Sequence, residues 1–421
     1  MTEAVATHDQ QQIQLDPYAL PIDQINVANP FLFQADQQGD WFRRMRDEAP
    51  VHYCADSFFG PYWSVTRYED IMAVDTNHEV FSSEPAITIR NHDPDFTLPM
   101  FIAMDRPKHD LQRAVVNPAV GADKLRHFEP IIRERTVGVL EELPIGQAFN
   151  WVDRVSIELT TRMLATLFDF PFEERRKLTR WSDVATAVPG MGIIDTEEQR
   201  REELFGCLNY FTELWNERVN APLANDFISM LAHGEATRDM APLEYLGNLI
   251  LLIVGGNDTT RNSMSGSVLA LHQNPDQFEK LQADHSLIPA MISETIRWQT
   301  PLIHMRRTAK TDTELAGQKI SAGEKVVMWY LSGNRDERFF ERPDEFLIER
   351  PDVRKHLAFG FGIHRCMGNR LAELQLKILW EEILARFERI EVVGPEERVP
   401  SVFVRGYSDL PVILHPRKHP S

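Results

Sequence analysis

The run Phe359-Gly360-Phe361-Gly362-Ile363-His364-Arg365-Cys366-Met367-Gly368 constrains this chain more than any other stretch. It sets one cysteine in a glycine-rich loop, and an apolar, helix-forming segment from Met367 to Ile390 follows at once. A helix N-terminus presents unpaired N–H groups and the positive end of its dipole, so a thiol placed there is expected to have a lowered pKa. The three glycines allow backbone to lie close against something flat and bulky.

A lone cysteine is ordinarily a small buried hydrophobe, but the loop around this one argues for more. Cys54 and Cys207 lie far away in sequence, and there is no C-x-x-C or C-x-x-C-H. Neither a zinc knuckle nor covalent haem attachment is signalled. A thiolate held on such a loop suits haem iron, which it enriches in electron density for O–O cleavage.

The chain has 421 residues, 43% hydrophobic and 26% charged, enough for a large core and two lobes in an ordinary soluble composition. Three cysteines give no disulfide framework, which makes a reducing cytosol the default. A net charge of −18 argues against general nucleic-acid binding, while leaving room for a local basic patch. Met1 to Leu20 is polar, with no basic n-region and no apolar run, so a cytoplasmic protein without a membrane anchor is expected.

Residues 1–30 read as an irregular arm and residues 31–421 as a single domain. Val51–Tyr53 and Tyr62–Thr66 flank the Phe59-Gly60-Pro61 turn and predict a hairpin. Residues 82–101 lack periodicity and carry three prolines, as functional or mobile loops do. Helical patterning dominates from Arg106 to Gln299, Met305 to Leu331 turns β-rich, and short strand-like pieces (Val402–Val404, Val412–Leu414) close the chain. The fold class is therefore mainly α with a smaller β-rich lobe. One helix, Pro242 to Asn274, starts with proline at N1 and stops before Pro275.

That helix contains Gly255-Gly256-Asn257-Asp258-Thr259-Thr260 within an apolar stretch. Mid-helix glycines cost about 1 kcal/mol each relative to alanine. A buried acid and hydroxyls cost more unless they are used. A kinked helix with a satisfied polar pair is the bland account; beside the cysteine loop, a functional one is better. Glu294 and Arg297, at i,i+3, share a helix face, and His109 and Arg113, at i,i+4, share another. Spacing alone would also fit an exposed ion pair and a solvated basic face.

The Phe, Gly, Gly, His, Cys and Gly of the loop, at these offsets, resemble the haem-binding loop of the cytochrome P-450 family, the haem-thiolate monooxygenases. The similarity spans nearly the whole chain from about Ile25. It implies haem b between the long central helix and the loop, with Cys366 as iron ligand and Phe359 opening the loop against the cofactor. It implies that Gly255 and Gly256 leave room for a diatomic ligand, and that Thr259 and Asp258 are the family's acid–alcohol pair, hydrogen-bonding dioxygen and relaying protons. Glu294 and Arg297 would form a buried structural triad with Arg350. His109, Arg113, Arg307 and His364 would hold the propionates, with Arg306 as the alternative register for Arg307.

The stretch after Cys366 is too short for a flavin or NAD domain, and no G-x-G-x-x-G occurs. The resemblance implies outside electrons, from a [2Fe-2S] ferredoxin and an NAD(P)H-dependent reductase. Docking is expected at a basic patch near the loop, with Arg365 and Lys377 as candidates. A monomer is expected.

The residues expected to face the open side of the haem are apolar: Leu251, Val254, Gly255, Leu302, Ile303 and Phe403, with Ile87, Ile89, Leu98 and Phe101 from the 82–101 loop. Core packing is the competing account of each. An apolar pocket implies an apolar substrate. LLIVGGNDTTRNSM from Leu251, SIELTTRMLATLFDFP from Ser156 and HMRRTA from His304 resemble the bacterial alkane terminal hydroxylases, as does the stretch Phe361 to Leu376. This branch acts on medium-chain n-alkanes, giving 1-alkanols, and on fatty acids. Hydroxylation of terpenes or other small hydrophobic compounds is the alternative. The Asp258–Thr259 pair argues against a peroxide-driven enzyme and against a haem sensor without turnover.

Overall fold

Pro242 opens a 32-residue helix that runs to Gln273 and stops where Asn274 precedes Pro275. At 1.5 Å per residue it spans roughly 50 Å. Leu246, Leu249, Ile250 and Ile253 are buried at its centre, as a helix threading a core requires. It packs against helices Glu158–Phe168, Arg176–Thr186, Glu197–Val219 and Ile288–Gln299. The computed structural model describes residues 14–90 and 95–417.

The β-rich lobe centres on a five-stranded sheet in the order Val51–Cys54, Tyr62–Val65, Lys325–Met328, Met305–Ala309, Phe81–Ser82. The first pair is the expected hairpin, in register Val51 opposite Val65. Tyr62–Val65 runs parallel to Lys325–Met328, and the other neighbours are antiparallel. The stretch from Ser83 to Met100 has no regular structure where it is described. No helix among the described residues is long and apolar enough to cross a membrane.

Two expectations are corrected. The helix after Cys366 runs from Asn369 to Arg386, and Phe387–Val392 is a strand. Phe387 and Ile390 are buried there while the strand pairs with Pro411–Pro416, so tertiary pairing ends the helix early. Val402–Val404 is a loop with one bridge, Leu302 to Val404. The Ser401 hydroxyl accepts from the N–H groups of Phe403 and Val404, an alternative to strand pairing. The N-terminal arm lies partly outside the described residues, yet Ile25, Val27 and Ala28 are buried with Trp41, Tyr62 and Trp329.

Candidate functional site

Gly362 shows why the cysteine loop needs glycine. Its φ is +67°, and an added Cβ would meet the Asp75 carbonyl oxygen at 2.6 Å. Asp75 is buried and ties the loop to the sheet lobe: it accepts from Phe361 N at 2.7 Å, from Tyr330 Oη at 2.8 Å and from Arg307 Nη2 at 2.7 Å. The Cys366 N–H closes the loop on Phe359 O at 2.8 Å.

Cys366 opens onto an internal cavity of about 670 Å³ that Phe359, Gly255, Gly256 and Thr259 also line. Cys366 keeps accessible surface and lines this cavity, with protein packed closely around the thiol. Burial therefore pushes the thiol pKa up, while the Gly368 and Asn369 N–H groups, Arg113 and Arg365 pull it down. The net direction is upward, which corrects the expected lowering: in the protein alone the helix terminus does not offset desolvation. A coordinated metal deprotonates such a thiol outright.

His109, Arg113, Arg307 and His364 come together along the cavity. The His109 and His364 rings lie 4.2 Å apart. His109 Nε2 and both ring nitrogens of His364 are buried without a hydrogen-bond partner. Burial, with Arg307, His109 and Arg113 adding repulsion, pushes His364 down to about 2. Burial also lowers His109, although Asp110 hydrogen-bonds its Nδ1 at 2.7 Å. Such a cluster of orphaned imidazole nitrogens beside the Arg113 and Arg307 guanidinium groups fits the two carboxylates of haem propionates. Arg113 donates to Ile363 O at 3.2 Å and to Arg365 O, so it braces the loop as well. Arg307, not Arg306, lines the cavity.

On the long helix the two glycines divide the work. A Cβ at Gly255 would enter open space, whereas one at Gly256 would meet Leu164 Cδ2 at 2.7 Å. Gly255 thus leaves cavity room, and Gly256 mainly admits Leu164. Thr259 Oγ1 donates to Gly255 O at 2.8 Å. Asp258 faces away from the cavity: it is fully buried and accepts from Ser182 Oγ at 2.9 Å and Asn257 Nδ2 at 3.1 Å. Arg261 Nη2 lies 3.1 Å from Asp258 and 2.7 Å from Asp183, whose side chain is 28% exposed. Burial raises the Asp258 pKa against the lowering by Arg261.

Glu294, Arg297 and Arg350 meet in the interior. Arg297 forks onto Glu294 at 2.7 and 2.8 Å, and Arg350 Nε reaches both of its oxygens at 3.1 and 3.0 Å. Arg297 also donates to Asn334 O, Pro343 O and Glu345 O, so the triad staples the loop preceding the cysteine.

Leu251, Val254, Leu302 and Phe403 line the cavity, as do Ile87, Ile89, Leu98 and Phe101. Ile303 does not: it is fully buried in the sheet-side core, because side chains alternate along extended backbone and Leu302 takes the cavity side. Sequence reasoning missed Asp75, whose partners are hundreds of residues away, and the clamp made by His304. The latter lines the cavity, accepts from Ile89 N at 2.9 Å, and is 2.8 Å from Val402 O through Nδ1.

Comparison with known proteins agrees with this geometry. The cytochrome P450 family model matches residues 194–405. The linalool 8-monooxygenase of Pseudomonas putida is 34% identical over 404 residues, covering 93% of this chain and 99% of its own. A methyl-branched lipid omega-hydroxylase of Mycobacterium bovis is 29% identical, covering 94% and 96%. The solved structure of a cytochrome P450-153 from Novosphingobium aromaticivorans superimposes with a TM-score of 0.87 at 48% identity, covering 93% of this chain and 99% of that one. A cavity that joins one cysteine, two histidines, two arginines and a glycine-opened helix thus coincides with full-length similarity, and the chain belongs to the cytochrome P450 family of haem b monooxygenases.

Proposed function

We propose that this monooxygenase hydroxylates the terminal methyl of medium-chain n-alkanes or fatty acids. The observation that carries the reading is the cavity wall. The cavity that Cys366 opens onto is lined largely by apolar side chains, among them Ile87, Ile89, Phe101, Leu251, Val254 and Phe403. Such a wall offers a hydrocarbon chain dispersion and desolvation but nothing to grip mid-chain. The terminal C–H is the stronger bond, so selectivity must come from presenting the chain end-on. The similarity to an omega-hydroxylase supports this. The similarity to a linalool monooxygenase favours the second reading, hydroxylation of terpenes.

Cys366 would hold the haem iron, His109, Arg113, Arg307 and His364 would hold its propionates, and the bound haem supplies the activation of dioxygen. Thr259 Oγ1 stands at the cavity and can turn from Gly255 O toward a ligand there. Behind it, Asp258 has a carboxylate whose burial favours carrying a proton, and Arg261 links it to partly exposed Asp183. The family needs redox partners and dioxygen. For an acidic ferredoxin, the surface bearing Arg126, Arg354, Arg370 and Lys377 beside the exposed Arg365 is the fitting dock. Lys377 is shared with Glu381 at 3.4 Å, which makes Arg365 the stronger contact.

The test is reconstitution of the haem-loaded enzyme with a ferredoxin, its reductase and NADH, supplied with octane or a cyclic monoterpene. Predominant 1-octanol supports the reading. Mainly internal alcohols, or turnover of the monoterpene alone, overturns it.

A further inference from the structure

Arg90 lies in the irregular stretch after the edge strand Phe81–Ser82, and its carbonyl is held by Arg306 Nη1 at 3.1 Å. Its side chain lines the same cavity as Cys366. The guanidinium donates to Ala187 O, in the connection after helix Arg176–Thr186. Nearby Arg200 is fully engaged: it donates to Val184 O and Ala185 O at 2.8 Å, to Ala187 O at 2.6 Å and to Glu197 Oε2 at 2.8 Å. Glu197 is thereby committed to Arg200. Among the described residues no carboxylate pairs with Arg90, and one carbonyl answers its five donors.

An arginine taken out of water without an acid partner is costly. Burial and the repulsion of Arg200, against a weaker attraction to Glu197, push Arg90 down to about 10, which still leaves it charged at neutral pH. The cavity wall is otherwise largely apolar, with Ile87, Ile89, Phe101, Val188 and Leu204 among its lining. A half-buried cation on the wall of a largely apolar cavity calls for an anion carried on a hydrocarbon, and a carboxylate matches the planar fork.

We propose that Arg90 recognises the carboxylate of a fatty acid, anchoring the chain so that its methyl end lies on the Cys366 side. This rests on the terminal-hydroxylation reading and narrows it: fatty acids are preferred over alkanes of equal length.

The experiment is titration of the haem-loaded enzyme at pH 7.5, reading the haem absorbance shift. Dodecanoate, methyl dodecanoate and dodecane are compared in the parent protein and in Arg90→Met. The parent binds the acid more tightly than its ester. In Arg90→Met the ratio of the dodecanoate to the dodecane dissociation constant rises about tenfold, one desolvated charge pair's worth. Arg90→Lys, which keeps the charge but not the fork, falls between. An unchanged ratio, or an ester binding as well as the acid in the parent, overturns the assignment; the second comparison stands even if the variant misfolds. Dodecane that shifts the band and yields 1-dodecanol while the ratio stays fixed sinks Arg90 alone. Internal alcohols from both substrates sink the terminal-hydroxylation reading itself.

Discussion

At the scale of single residues, the two helix glycines make separable predictions. A methyl at Gly255 enters open cavity and clashes with nothing, so Gly255→Ala folds normally and removes substrate room. Product yields across a C6–C12 alkane series should shift toward shorter chains; an unchanged profile counts against Gly255 as a channel wall. The Thr259 hydroxyl donates to Gly255 O, one turn back on its own helix. Thr259→Ala is therefore expected to keep consuming NADH while product per NADH falls at least tenfold, since a positioned proton donor contributes ~10²-fold or more. Full coupling in the variant, measured as product against NADH oxidised, would remove Thr259 from the proton path.

At the scale of elements, the long helix and the 83–100 stretch are fitted to each other. A Cβ on Gly247 would lie 2.1 Å from Pro99 O and 2.8 Å from Pro99 C, backbone atoms that cannot rotate away. Asn248 beside it accepts from Phe101 N at 2.9 Å. Gly247→Ala should cost ~1–3 kcal/mol by overpacking, and amide exchange at residues 95–101 should quicken. Protection equal to the parent's would show that the loop is not seated on the helix. His304 joins the same loop to the 401–404 segment as a neutral imidazole, with burial pushing it down to about 4 from the ordinary 6.5. Buried His356 is likewise lowered, to about 3. The unfolded chain binds these protons first, so their contribution is complete above pH ~6.5 and is lost as pH falls toward 4, by ~1.4 kcal/mol per pH unit for each group. Urea midpoints measured from pH 7 to 5 should fall, and more shallowly in His304→Gln. A flat profile would show that neither histidine is held neutral.

At the scale of the molecule, the Glu294–Arg297–Arg350 cluster joins the Ile288–Gln299 helix to the irregular segment that leads into the cysteine loop. Glu294 is fully buried, and its removal leaves two buried guanidinium groups without their anion. Glu294→Gln should cost ~3–5 kcal/mol and release haem at lower denaturant than the parent does. Stability and haem retention matching the parent would reduce the triad to a passive ion pair.

The chemistry and the main helix were legible because their signals are local. Pro242 and Pro275 bracket the long helix, and the spacing of glycines around Cys366 is a loop written in ten residues. Most of the departures share one cause: they depend on what a segment meets after folding. Phe387–Val392 leaves its helix because Pro411–Pro416 offers a ladder. Asp75 holds Arg307 across 232 residues, a pairing no periodicity encodes. Leu302 and Ile303 are alike in composition, and only the path of the backbone puts one in the cavity and the other in the core. The sequence by itself determined the reaction class, because a cysteine in a glycine-rich loop and Gly-Gly-Asn-Asp-Thr within an apolar helix are patterns of contiguous residues. Tertiary structure alone decided the raised Cys366 pKa, the turning of Asp258 from the cavity and the isolation of Arg90. Each of these depends on desolvation and on charges brought together from distant parts of the chain.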